Sequence, residues 1–570
     1  MIDRTTLDRR IDQALSREPA DLVIKNIDWL SIPTGKIHRG DIAICGDAIV
    51  GTGAGYEGKV EIDGTGLTAV PGFVDAHFHL ESSMVVPYEF ERCVLPHGTT
   101  TAVCDPHEMA NVCGVRVLEY FLACAENMVM DLRVKLCSCV PSTTMETSGA
   151  ELGVDDLTPY KNHPKTLGLA EMMNYPGVWF HDPGVMAKLA AFSDQVIDGH
   201  APLMGGKELN AYIAAGIQNC HETSNLAEGE EKLDKGMRVF IRGGSVAKNL
   251  QALAPLINPQ TAPFLSFCTD DRNPLDIAAE GHIDHMVRSA IGMGIAPELV
   301  YRVASRSGAE AFGLNDRGLI APGCKADLVL LSDYRKCEIH TVLKSGRPVN
   351  SELLAARPPA PSVEFARHSV RRAPVSAADF RVRPEKAATH VIGLIPNSII
   401  TEHLEMDLPL ENGEKKAVPA NDILKVAVLE RHGKNGNIGL GFVKGFGIES
   451  GAIASSIGHD SHNLCVVGTS DEDMAAAVNA LIESGGGQCA VRDGKTVGIL
   501  KLPLAGLMSD APHEQLAAEL GELRRTVRET GCRLDEPFLQ LAFLPLPVIP
   551  YLKITDRGLV DVSAFQIIGV

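Results

Sequence analysis

Between Ala69 and about Gly313 the chain repeats one unit: a short apolar run of strand character, a stretch with helical spacing, then another apolar run. Eight such runs can be counted, ending near His77, Asp105, Val140, Glu171, His200, His221, Arg242 and Asp270, with room for a returning helix between most of them. Parallel strands cannot be joined by tight hairpins and need crossovers of this kind. Eight of them predict a TIM-like (β/α)8 barrel over residues 69–315, an α/β fold whose reactive face lies where the strands end. The 570 residues, 45% apolar, are too many for a single compact core, so further domains are expected. Brief strands at residues 21–24, 41–44 and 48–50, separated by Gly-containing turns, place the first part of a small flanking β domain in residues 1–68. Its second part is expected in residues 316–356, where the segment 318–331 returns to β character and should pair with the N-terminal strands. Arg357-Pro358-Pro359-Ala360-Pro361 opens a linker over 357–376. Residues 377–570 read as a C-terminal α+β domain, with a strand at 423–429 and a helix from about Pro512 to Thr530 behind a Ser509/Asp510 cap signal.

Charge narrows the function. A formal net charge of −19 and the lack of any Lys/Arg block argue against a nucleic-acid surface and favour a small neutral or cationic substrate. There is no run of about 18 uncharged apolar residues, and the start, Met1-Ile2-Asp3-Arg4-Thr5, is charged rather than signal-like, so no membrane is expected and the cytosol is. The 14 cysteines, dispersed from Cys45 to Cys532, suit reduced thiols; Cys137 and Cys139 alternate along an expected strand and read as packing. Homo-oligomerisation is left open.

The strongest chemical signal is Pro71-Gly72-Phe73-Val74-Asp75-Ala76-His77-Phe78-His79, an apolar strand ending in His-x-His. Alternate side chains of a strand share a face, so His77 and His79 can point together into a barrel and bind one metal. Glu171 ends the fourth strand, His200 the fifth, His221 the sixth, and Asp270 the eighth, which closure of the barrel brings beside the first. Any one of these alone reads as a cap, a core histidine or a solvated acid. Their joint occurrence at five strand ends points to a binuclear centre. Two cations about 3.5–4 Å apart repel and need a bridging anion, for which Glu171 is the candidate. His77, His79 and Asp270 are assigned to one ion, His200 and His221 to the other. Nitrogen and oxygen donors without thiolates suit Mn2+, Fe2+ or Zn2+.

This pattern resembles the amidohydrolase superfamily over roughly residues 20–350, with Gly318-Leu319-Ile320-Ala321-Pro322-Gly323-Cys324-Lys325-Ala326-Asp327-Leu328 similar to that superfamily's return segment. One departure is that Glu171 stands where several members carry a carbamylated lysine. More specifically, His77-Phe78-His79-Leu80-Glu81-Ser82-Ser83, Asp105-Pro106-His107-Glu108, Ala170-Glu171-Met172-Met173-Asn174, Asp198-Gly199-His200-Ala201-Pro202 and Thr269-Asp270-Asp271-Arg272 look like the bacterial adenine deaminases, as does the extra C-terminal domain. That resemblance implies a two-metal hydrolase, using Fe2+ or Mn2+, that converts adenine and water to hypoxanthine and ammonia in purine salvage.

On this reading a water between two cations becomes a hydroxide near neutral pH and attacks C6, while Asp270 takes its proton and passes it to the amine. Glu222 and the pair His107-Glu108 are candidates for proton transfer to ring nitrogens or for supporting the metal ligands, and His107 is alternatively a ligand. Glu81, Ser82 and Ser83 are candidate substrate contacts, or caps of the first barrel helix. His459, Asp460 and His462 lie beyond the linker, where a local loop role is the default, unless the loop folds back over the barrel mouth. Ser484-Gly485-Gly486-Gly487 lacks the ending of a phosphate loop and reads as a turn. Rival readings are another amidohydrolase reaction, such as cyclic amide hydrolysis or deamination of a different base, and a non-catalytic metal-binding scaffold. The one-zinc deaminase signature is half met by His403-Leu404-Glu405 and lacks its Pro-Cys-x-x-Cys.

Overall fold

A computed structural model describes residues 2–383 and 388–570. The eight apolar runs become eight parallel strands: Phe73–Phe78, Thr99–Cys104, Asp131–Leu136, Thr166–Met172, Ile197–Gly199, Asn219–Cys220, Arg238–Arg242 and Leu265–Cys268. The first five form one sheet and the last three another. Two joints close the circle. Gln218 N–H donates to the Ile197 carbonyl (3.1 Å), linking the fifth and sixth strands. Asp270 N–H donates to the His77 carbonyl (3.0 Å) and His79 N–H to the Asp270 carbonyl (3.1 Å), linking the eighth to the first. The first two strands are buried at every position, which is why they read as continuous apolar runs rather than alternating ones.

Two strand ends differ from expectation. The third strand stops at Leu136 rather than near Val140, and residues 137–140 run on as loop, where the Val140 carbonyl accepts from Leu152 N–H (2.9 Å). The run 214–220, read as the sixth strand, is strand only at Asn219–Cys220: Ala214 ends the helix Gly206–Ala214 and Gly216, at φ +94°, turns the chain into the barrel.

The N-terminal strands and the return segment share one flanking sheet, which also takes in residues 69–71, expected in the barrel. Thr68–Pro71 pairs antiparallel with Leu328–Asp333, Val70 opposite Val329, within an eight-stranded sheet that also holds Ala20–Ser31, Lys36–Cys45 and Ala48–Gly53. Ile24, Ile42, Ile44, Leu328 and Leu343 pack in its core. After the largely irregular segment 357–376, a mixed eight-stranded sheet containing Ile423–Leu429 carries the helices Asp471–Ser484 and His513–Arg528. The Ser509/Asp510 cap signal is displaced: Pro512 occupies the cap position, Ser509 Oγ accepts from Ala511 N–H (3.1 Å), and Asp510 pairs with Arg367. Gly485, left-handed at φ +78°, ends the preceding helix, so the glycine run is the turn that was expected.

One hydrophobic cluster runs from the barrel (Phe78, Leu80, Met109, Leu136, Met172) into the C-terminal sheet and helices (Leu424, Val426, Phe543, Leu546), so the second half of the chain is docked on the catalytic end of the barrel. All 14 cysteines are unpaired, Cys137 and Cys139 buried among them. Among the described residues, no helix is long and apolar enough to cross a membrane.

Candidate active site

The strand-end donors converge. His77 Nε2 and His79 Nε2 face each other at 3.3 Å. His79 is oriented by its other nitrogen, where Nδ1–H donates to the Asp105 carbonyl (3.0 Å), which leaves the Nε2 lone pair pointing inward. Asp75, two residues before His77, accepts from Thr269 N–H (3.0 Å) and ties the first strand end to the eighth. Glu171 divides its two oxygens: Oε1 lies 3.3 Å from His79 Nε2 and 3.6 Å from His77 Nε2, while Oε2 lies 2.7 Å from His200 Nδ1 and 3.3 Å from His221 Nε2. Asp270 Oδ1 completes the first group at 3.1 Å from His79 Nε2 and 3.5 Å from His77 Nε2. All six side chains are buried. His221 lies flat on His77, with ring centroids 3.9 Å apart.

The electrostatics suit a bound cation. Burial pushes both Glu171 and Asp270 upward, but neighbours outweigh it: His221, His200 and His79 hold Glu171 well below the usual carboxylate range, and Arg242, His77 and His79 do the same for Asp270. Buried carboxylates require positive charge beside them, whether from protonated imidazoles or from bound cations. The donor set is all nitrogen and carboxylate oxygen, and His77, His79 and Asp270 form one group able to hold an ion, with His77, Glu171 and His221 a second and His200, His221 and Glu222 a third.

A second ring surrounds these donors. Arg242, at the end of the seventh strand, reaches Asp270 Oδ2 (2.6 Å) with one nitrogen and holds both oxygens of Glu222 (2.5 and 2.8 Å). Burial raises Glu222, yet Arg242 and the histidines bring it down to about 2, so it is a fixed anion. His107 Nδ1 lies 3.1 Å from Asp105 Oδ2 and 3.8 Å from Glu171 Oε1, and its Nε2 lies 3.5 Å from Asp460 Oδ1.

Glu108 and the three residues after His79 stand back from the cavity. Glu108 Oε1 accepts from Ser82 Oγ (3.2 Å), and burial, aided by the nearby carboxylates Glu81 and Asp271, lifts it to about 8. Ser82 Oγ also bonds Asp271 (2.5 Å), Ser83 Oγ donates to the Leu80 carbonyl (2.6 Å), and Glu81 accepts from Met109 N–H (2.9 Å) in the first turn of the helix His107–Cys113. Among the described residues Glu81, Ser82, Ser83 and Glu108 do not line the cavity, and the first three do not cap the first barrel helix, Pro87–Val94, which begins at Val86 without a side-chain cap. They belong to a short 3-10 helix, Leu80–Ser83, and to the helix His107–Cys113, which these bonds tie together.

The roof comes from the C-terminal half. Ile399, Phe543 and Leu546 face the donors, and His459 and Asp460 reach in beside them, His459 stacked on Phe543 with centroids 4.5 Å apart. The local-loop reading of 459–462 is therefore corrected: docking of the two halves folds that loop over the barrel mouth. His462 is behind it, Nδ1 accepting from Gly458 N–H (3.2 Å).

Comparison with known proteins bears on this pocket. The amidohydrolase family model matches residues 68–349, and the adenine deaminase C-terminal domain model matches residues 398–566. Adenine deaminase of Gluconobacter oxydans (strain 621H) is 57% identical over 99% of this chain and 100% of its own length. Adenine deaminase of Brucella anthropi is 55% identical, also over 99% and 100%, and adenine deaminase 1 of Rhizobium meliloti (strain 1021) is 55% identical over 99% of both chains. The chain belongs to the adenine deaminase family. It is an enzyme, a hydrolase acting on C–N bonds, and its amidohydrolase domain carries the divalent-metal use of that family.

In this adenine deaminase family member, the sequence motifs did not assign roles to Arg242, Asp105 or the apolar roof. Arg242 and Asp105 were both visible as strand ends, a signal that marks a residue as facing the site without saying what it does there. For Ile399, Phe543 and Leu546 there was no local signal, since an apolar residue facing a pocket and one facing a core have the same sequence pattern.

Proposed function

We propose that the chain hydrolyses adenine to hypoxanthine and ammonia with two divalent cations, Mn2+ or Fe2+, held by His77, His79 and Asp270 on one side and His200 and His221 on the other, Glu171 between them. The observation that supports this most directly is the divided Glu171 carboxylate, one oxygen to each histidine pair, in a chain similar end to end to proteins named adenine deaminase. Such cations, when bound, make a water acidic enough to act as a nucleophile near neutral pH.

The side chains divide the remaining work. The water oxygen bonds to C6 of the purine; Asp270 accepts the water proton through Oδ1 and returns it to the exocyclic nitrogen, which leaves as ammonia. Arg242 holds Asp270 Oδ2, which fixes the carboxylate with Oδ1 turned to the histidines and the reacting water. His107, lining the cavity, is placed to exchange a proton with the ring nitrogens as charge builds there, while Glu222, held as an anion by Arg242, can only accept one. His459, Asp460 and Phe543 contact the purine, Phe543 through its face and the loop residues through polar edges. Ile399, Phe543 and Leu546 close the pocket over the donors, leaving a free volume of about 20 Å3. The acidic surface and the Mn2+ or Fe2+ centre fit a cytoplasmic enzyme of purine salvage acting on a small neutral base.

The test is ammonia release from adenine, adenosine, guanine and cytosine by protein loaded with Mn2+ or Fe2+. Turnover of adenine alone is expected; release from adenosine alone would refute the substrate assignment.

A further inference from the structure

A second cleft opens at the seam of barrel, linker and C-terminal domain, with a free volume of about 240 Å3. Its lining holds three arginines, Arg116, Arg367 and Arg371, with Ser369, Phe365 and His432, and no carboxylate. Arg367 pairs with acids, Glu364 (3.1 Å) and Asp510 (2.5 Å). Arg116 and Arg371 do not: among the described residues neither forms an ion pair or a side-chain hydrogen bond, and Arg116 only rests over the Phe365 ring, 4.6 Å from its centroid.

A further cation lies behind Ser369, outside the lining itself. Arg431 is fully buried and bonds to neutral oxygens, Ser369 Oγ (3.0 Å) and the carbonyls of Ala505 (2.7 Å) and His462. With no carboxylate on it, burial pulls this guanidinium down to about 10. An uncompensated buried cation is costly unless a counter-charge lies within reach. Ser369, itself buried, accepts from Arg431, and its own hydroxyl hydrogen has no acceptor among the described residues. His432 adds no charge: burial and Arg431 lower it to about 3, and its Nε2–H donates to the Ser461 carbonyl (2.8 Å).

We propose that this cleft binds a phosphate dianion, free or carried by a small phosphomonoester. Two unpaired guanidiniums and a hydroxyl offer more donors than a monocarboxylate has acceptors, and guanidinium forks match phosphate oxygens in pairs. Arg116 also opens the helix Arg116–Asn127, whose amide end favours an anion. The site is separate from the deamination pocket, with which it shares no lining residue. The acidic surface excludes extended polyanions but not one phosphate in one basic recess.

Isothermal titration calorimetry on the full-length, metal-loaded protein, in a phosphate-free buffer at constant ionic strength, tests this with two probes, inorganic phosphate and ribose 5-phosphate. Saturable binding of at least one probe is expected, weakened about tenfold or more in the R116A/R371A double variant. Lysine at both positions should restore part of the affinity, and adenine turnover and thermal unfolding of the double variants should match the parent, since neither arginine is held in the fold by a side-chain bond. Tighter binding of ribose 5-phosphate assigns the site to an ester; equal affinities assign it to free phosphate. No saturable heat for either probe up to roughly 10 mM, or binding that survives the alanine double variant unchanged, would overturn the proposal.

Discussion

The floor and the roof of the deamination pocket are made from different material. On the floor, His77, His79, Glu171, His200, His221 and Asp270 sit at or next to the ends of parallel strands, are buried, and are held by ion pairs and by hydrogen bonds to backbone. On the roof, Ile399, Phe543 and Leu546 offer apolar surface from the other half of the chain, with only His459 and Asp460 polar among them. A floor of fixed, charged groups sets where protons and cations go. A roof of docked apolar side chains sets what enters and how it lies. Changes below should therefore destroy chemistry, and changes above should alter binding.

The largest effect is expected from Asp270→Asn, which keeps the shape but removes the proton acceptor we propose. Ammonia release should fall by about 10^3-fold or more with an unchanged circular dichroism spectrum, and near-normal rates would take Asp270 out of the mechanism. Glu171→Gln should follow, since it alters the carboxylate that turns one oxygen to each histidine pair. Metal content by mass spectrometry should drop below that of the parent, and Mn2+ should restore chelated parent but not the variant. Full occupancy with parent rates would break the reading of the floor as a two-ion site.

Arg242→Met probes positioning within the floor. We expect kcat to fall about 10- to 100-fold with little change in KM, because Asp270 stays but loses its clamp. A change in KM alone would move Arg242 from chemistry to binding. For the roof, Phe543→Ala and His459→Ala should raise KM about tenfold and leave kcat within a few-fold, as lost stacking and contact area predict. If either lowered kcat as Asp270→Asn does, the division between floor and roof would fail.

The smallest effect concerns Lys553, buried under the roof, where Nζ donates to the carbonyls of Ile399 (2.7 Å) and Phe543 (3.0 Å). Burial lowers it to about 7 from an ordinary 10.5. Between those values the unfolded chain binds a proton that the folded chain does not, so stability rises with pH across this window. Relative to Lys553→Met, the parent should gain stability as pH climbs from 7 towards 10, by chemical denaturation at several pH values. A flat difference would mean the amine stays charged on its two carbonyls.

Much of this was legible before any fold was seen. A period of two puts His77 and His79 on one face, eight spaced apolar runs make a parallel barrel, and a barrel gathers its strand ends, so the donors could be named from residues up to about 190 positions apart. Those inferences depend only on local periodicity and closure. What was not legible lies where a side chain's partner is remote. Ser82 bonds Asp271, 189 residues away, a contact that no local pattern announces. The loop at 459–462 reads as a local turn until domain docking carries it over the barrel.

The amino-acid sequence by itself determined the floor, because strand alternation and barrel closure leave those side chains one place to go. Tertiary structure alone decided the roof, the Arg242 clamp on Asp270 and the basic recess at the seam. Each of these forms between segments that no local pattern relates, brought together by burying a shared apolar surface.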